Sequence, residues 1–187
     1  MNDTVIEAFR HGAWATRTLI ATCRGISIEQ LKRPARGFGS ILATLNHIVL
    51  SDAGYVAILT GVRPTWATEG NETEDLDQLR ARVDETARLW EELLAELLDA
   101  ERLHILDAGD YECCAAVVVA QALHHAIAHR EQIRAGLKDL GLQPPDLQPW
   151  AYAVEAGRAH CRRGSSNAAG SPAAAADERR PAVARAR

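Results

Sequence analysis

The chain is poor in aromatic residues, has no long apolar run, and carries no cysteine pair at redox or metal-binding spacing. Aromatics make up 5% of the 187 residues although 47% are hydrophobic. A core lean in rings and rich in Ala, Leu and Val is the composition of packed helices. The longest unbroken apolar run, Cys113 to Ala120, has eight residues, against the roughly 20 needed to cross a membrane. The opening Met1-Asn2-Asp3-Thr4 lacks the basic and apolar regions of a signal peptide. Cys23, Cys113, Cys114 and Cys161 form no C-x-x-C pair, and neighbours such as Cys113 and Cys114 cannot bridge each other without strain. These absences lead us to expect a reduced, soluble, cytoplasmic protein with no membrane partner.

Charge is present but unevenly spread. The formal net charge is −4, yet residues 162–187 hold six Arg against Asp177 and Glu178, leaving residues 1–161 at −8. An acidic body excludes a phosphate-binding surface, so no nucleic-acid partner is expected. The tail's Gly-Ser-Ser-Asn-Ala-Ala-Gly-Ser-Pro and Ala/Arg/Pro runs show no apolar periodicity. That composition predicts disorder from about Arg162 and a folded domain over 1–161.

Within that domain the periodicity predicts an all-α fold. A first helix runs from an Asp3 N-cap to about Cys23, and Ser27 with Gln30 forms a capping box over one short turn. Ser40 caps a second helix, Ile41 to Thr60, closed by Gly61. A third, about Glu74 to Ala100, buries Leu76, Leu79, Val83, Trp90, Leu93 and Leu97; a fourth spans about Cys113 to Leu140; Pro144-Pro145-Asp146 caps a last one, roughly Leu147 to His160. No segment alternates at the period of a strand, and Val117-Val118-Val119 lies in a run too long and Ala-rich to be one. Four long helices with short extra pieces predict a four-helix bundle.

Histidine is where chemistry enters. His125 and His129 are four apart on the fourth helix, hence on one face, about 5–6 Å apart at Cβ. Their stripe continues through Val118, Ala122, Gly136 and Leu140; His47 shares a stripe with Ala43, Leu50, Gly54 and Ile58. Both stripes read as inward-looking. Three interior imidazoles need partners, and one metal ion would serve all three; neutral imidazole suits Zn, Ni, Cu or Fe. The plain alternative is that each ring is a hydrogen-bonded core residue. A metalloprotease helix would need Glu after the first His, where Ala126 stands, so protease chemistry is not expected. His124 lies about 100° around the helix from His125 and cannot readily share its ion. His11, His104 and His160 read as solvent-facing, and Cys113 and Cys114 as small core residues.

The run His125-Ala-Ile-Ala-His129-Arg130-Glu-Gln132-Ile133, with Gly141-Leu-Gln-Pro144-Pro145-Asp146-Leu147 and Trp150-Ala-Tyr152 after it, resembles the C-terminal signature of the DinB/YfiT-like metalloenzymes. So does Leu45-Asn46-His47-Ile48 followed by Ser51-Asp52 and Tyr55; the likeness covers about residues 3–160. It implies a DinB-like four-helix bundle, commonly a homodimer, in which His47, His125 and His129 bind one divalent metal ion, with zinc or nickel favoured. The implied function is a metal-dependent enzyme acting on a small molecule. S-transfer from a low-molecular-weight thiol is one form of it and hydrolysis another. The alternative is a non-catalytic metal-binding or stress-response bundle. Asn46, Asp52 and Gln132 are candidates to orient the imidazoles, while Arg130 would meet a substrate carboxylate or an acidic neighbour.

The tail reading has a direct consequence. Deleting residues 162–187 should leave the thermal unfolding midpoint unchanged within error, because the segment cannot bury enough apolar area to offset its ordering entropy. A large drop would mean that the basic tail docks on the acidic body.

Overall fold

Helix α1 (Asn2–Cys23) opens the computed structural model, which describes residues 2–35, 38–67, 71–96, 98–106 and 111–159. The short α2 (Ile28–Leu31) starts at Ser27, whose hydroxyl accepts from the Gln30 N–H while the Gln30 side chain accepts from the Ser27 N–H, the expected capping box. A two-stranded ribbon, β1 (Pro34–Ala35) and β2 (Phe38–Ser40), leads into α3 (Ile41–Thr60). Ser40 Oγ accepts from the Ala43 N–H at 3.1 Å, and Gly61 closes the helix at φ 77°, a conformation open to glycine because it has no Cβ.

A 3₁₀ turn (Thr65–Ala67) precedes α4 (Leu76–Ala95), capped by the Asp75 carboxylate on the N–H groups of Asp77 and Gln78. An antiparallel hairpin, β3 (Leu103–Leu106) and β4 (Tyr111–Cys114), hands over to α5 (Ala115–Asp139), and α6 (Pro149–Glu155) ends the described chain.

α1, α3, α4 and α5 form the bundle. α1 packs chiefly on α4 and α3 chiefly on α5. Ion pairs Arg10–Glu91, Arg17–Asp84 and Arg24–Asp77 climb one helix as they descend the other, so α1 and α4 are antiparallel. They are largely exposed and add little energy. The α3–α5 pair is antiparallel too: Ile41, Leu42 and Leu45 share a cluster with Ile133 and Leu137, whereas Val56 and Leu59 share one with Ala115, Val118 and Ala122. α3 is apolar almost all round. It is long and apolar enough to cross a membrane, with mean hydropathy 1.4, although no unbroken run in it suggested this. Half of that stretch is buried between the bundle's other helices.

The all-α bundle is as expected, with several corrections. The two ribbons were not foreseen; strands of two to four residues are too short to show alternation. β4 takes Cys113 and Cys114, so α5 begins two residues later than predicted. Both cysteines are half-buried rather than core. α4 stops at Ala95, and Leu97 lies outside the described residues. α6 is shorter than predicted: Leu147 is a buried core residue ahead of it, and Pro149 takes its first turn. Alternation in β3 turns His104 inward to 9% exposure while Leu103 and Ile105 face out, the reverse of a solvent-facing His104. His11 is also drawn in, its Nε2 2.8 Å from the Leu147 carbonyl and its ring beside Trp14 and Tyr152. The tail beyond residue 159, with His160 and Cys161, lies outside the described residues.

Since the Ser40 cap fixes where α3 begins, Ser40→Ala should destabilise the protein by about 1 kcal/mol, a fall of roughly 2–4 °C in Tm for a chain of this size. Thermal denaturation followed by circular dichroism reads it directly.

Candidate metal centre

Antiparallel packing of α3 on α5 brings His47 against His125 and His129. One ring nitrogen from each lies within 4.8 Å of the others, the sole such group of three or more His, Cys, Asp or Glu among the described residues. Ring centroids are 4.8 Å apart for His47–His125, 4.5 Å for His47–His129 and 4.4 Å for His125–His129. The Nε2 atoms of His47 and His125 are 3.0 Å apart. Two nitrogens of a tetrahedral zinc site, each about 2.0–2.1 Å from the ion, sit roughly 3.3 Å apart. The His47–His125 separation is close to that spacing, and the third nitrogen lies within 4.8 Å of both, so the donor set could close on one divalent ion.

The second ring nitrogen of His129 is also fixed. Its Nδ1–H donates to Gln132 Oε1 at 2.6 Å, which leaves the Nε2 lone pair for the cluster. Tyr55 packs its ring edge-on to His125 at 5.7 Å. Burial pushes the His125 pKa down to about 4, and the neighbouring His129, His47 and His124 push the same way. Burial and then His129 hold His47 below its usual value. Imidazoles kept neutral at physiological pH are ready ligands.

The site is more open than the helical stripes suggested. His47 is exposed, and His125 and His129 are half-buried at the border of the core. The stripe of His47, Ala43, Leu50, Gly54 and Ile58 is the outward strip of α3, since the buried residues lie on the rest of its circumference. Fixed charge is sparse on the two helices ahead of the cluster histidines, while Arg130 and Glu131 follow His129 directly on α5. Asp52 is the one Asp, Glu, Lys or Arg in Ile41–Thr60, and there is none from Ala115 to His129.

The supporting residues divide. Gln132 meets a cluster histidine as expected. Asn46 does not: its side chain donates to the Leu42 and Thr73 carbonyls and accepts from the Thr73 N–H, stapling the following loop to α3. Arg130, 6% exposed, turns inward and donates from Nη1 to the Gly12 carbonyl and Thr16 Oγ1. A substrate cannot reach it there. Asp52 lines an internal chamber with Arg130, where burial pushes its carboxyl up to about 7 against the opposing pull of the guanidinium. Tyr55, Asp52 and Arg130 had signals in the sequence, but the inward turn of the last two had none. His124 is exposed on α5. Cys23 is buried, its thiol pushed up to about 12, and is chemically inert.

Fold and cluster together define a helical bundle with a three-histidine group able to hold a metal ion. The DinB family description matches residues 1–159, and the chain belongs to that family. It is similar to Protein DinB of Bacillus subtilis (strain 168), at 22% identity over 152 residues, covering 75% of this chain and 88% of that relative.

These shifts give the metal-free protein two opposed pH slopes. With His125 at about 4 when folded and 6.5 when unfolded, the unfolded chain binds the extra proton in between, so this contribution makes stability rise with pH across that window. Asp52, at about 7 folded and 3.8 unfolded, keeps its proton in the folded state, so its contribution is lost as pH rises through that range. Melts in chelator at about pH 4.5 and 6.5 should therefore show Asp52→Asn gaining more, or losing less, midpoint with rising pH than wild type. His125→Ala should shift the other way.

Proposed function

We propose that the protein is a divalent-metal-dependent enzyme of the DinB type that acts on a small molecule, with His47, His125 and His129 as the metal ligands. The observation that carries this reading is the convergence of three imidazoles from two helices, with His47 exposed and His125 held toward its neutral form by burial. A divalent ion bound by three neutral ligands keeps a position for water or a thiolate and makes either a nucleophile at neutral pH.

The chain's own residues then have distinct tasks. Gln132 holds the His129 tautomer, the exposed edge of His47 leaves the approach open, and Tyr55 borders the site beside His125. A substrate would be held first by its metal-binding head. S-transfer from a low-molecular-weight thiol is the version that the family resemblance favours, in a cytoplasmic homodimer. A second reading, a non-catalytic bundle that binds and releases metal, draws on the same openness at His47. Retained metal with no turnover of any thiol or ester panel would favour it.

His125→Ala should lose metal and any activity while the bundle stays folded. Its stability comes from apolar burial on four helices at roughly 25 cal/mol per Å², so it should not depend on metal as a zinc finger does. Circular dichroism and metal analysis on the same samples decide it. An unfolded variant would make the site structural, and retained stoichiometric metal would mean that another residue is the ligand.

A further inference from the structure

A small chamber with two charged-type side chains, Asp52 and Arg130, on an otherwise apolar wall lies among the four long helices. Its volume is about 20 Å³, and its walls come from all four long helices: Phe9, Gly12 and Ala13, then Asp52, then Val83 and Trp90, then Ala122, Ala126 and Arg130 among them. It lies where the two apolar clusters meet, since Val83 and Ala126 belong to one and Phe9, Trp90 and Ala122 to the other. An apolar junction of this kind would close up by packing; here an acid and a guanidinium face it instead.

We infer that this chamber is a water site, in which one water molecule bridges the Asp52 carboxyl and the Arg130 guanidinium, and that the bridged pair positions α3 against α5. A cavity needs roughly 10–15 Å³ and two to four polar partners to hold one water, and both conditions are met. Arg130 anchors its Nη1 on Gly12 and Thr16 of α1. The Asp52 carboxyl feels the Arg130 charge, yet among the described residues it makes neither a direct hydrogen bond nor a contact ion pair with it. A half-buried carboxyl and a buried guanidinium face one cavity without touching; left apart there they would lack partners, and a bridging water satisfies both. Trp90, which lines the chamber, has a buried indole N–H without an acceptor.

The bridge has a place in the site. Asp52 follows His47 by five residues on α3, and Arg130 adjoins His129 on α5. It therefore ties together the two histidine-bearing helices at the level of the cluster and links both to α1. This positioning role rests on the metal reading above, whereas the water site does not.

A crystal structure of the full chain, at a resolution that shows ordered water, tests the first part. One water at about 2.7–3.2 Å from both groups is expected; a direct Asp52–Arg130 contact, or a chamber without density, overturns it. A double-mutant cycle in the metal-free protein tests the coupling. Asp52→Leu and Arg130→Met should each lower the unfolding midpoint, and the double variant should lose clearly less than their sum, because neither polar group is then left without its partner. Additive losses overturn it.

Zinc affinity, by competition with a chromophoric chelator, tests the positioning. Asp52→Asn keeps a partner for the water and should stay near wild type, while Asp52→Leu should bind zinc about tenfold more weakly. Equal affinity in both variants removes the positioning role. A wild type that takes up no zinc removes it together with the metal reading, while the water and the coupling are decided separately.

Discussion

Everything functional in this protein depends on the packing of α3 against α5. Neither helix has a site alone: α5 offers two imidazoles one turn apart, and α3 offers one. Antiparallel contact at the level of His47 joins them, and the apolar residues on either side hold that level. Leu45 and Ile48 pack with Ile133 and Leu137 on one side of the cluster, and Val56 and Leu59 with Val118 and Ala122 on the other. A slip of one turn, about 5.4 Å, would break both clusters at once. The site is thus placed by two rigid elements rather than by loops, which suits a constellation that must hold its geometry.

Electrostatics at the centre work by desolvation and mutual repulsion. Burial and then the neighbouring rings penalise the protonation of His47 and His125. Those two rings are therefore held toward the neutral form, the state in which imidazole binds a cation. Residues 41–51 of α3 and 115–129 of α5, which carry the three histidines, include no Asp, Glu, Lys or Arg. On the other pair of helices, α1 and α4 exchange ion pairs across the surface.

Much of this was legible in the sequence. The i, i+4 histidines, the Ser40 and Gly61 boundaries and the Ser27 capping box are local signals, and local signals survive folding. What the sequence obscured was direction. α3 is apolar on nearly every side, so its periodicity is weak, and the outward strip of Ala43, Leu50, Gly54 and Ile58 reads as readily inward. His104 lay hidden for another reason: a four-residue strand leaves no period to detect, yet one alternation there buries the imidazole. Arg130 and Asp52 are polar residues turned into an apolar core. Such an arrangement breaks pattern rules because the two groups answer each other across the helices, and no single segment records that.

The central claim is that three imidazoles from two helices hold one divalent ion. X-ray absorption on untagged, zinc-loaded protein tests it most directly. The account predicts one zinc per chain, with a nitrogen-dominated first shell at about 2.0–2.1 Å and the outer-shell scattering of imidazole rings. A shell dominated by sulfur at about 2.3 Å would place the ion on the cysteines instead, and a substoichiometric, disordered signal would leave the histidines without a metal; either result would contradict the account.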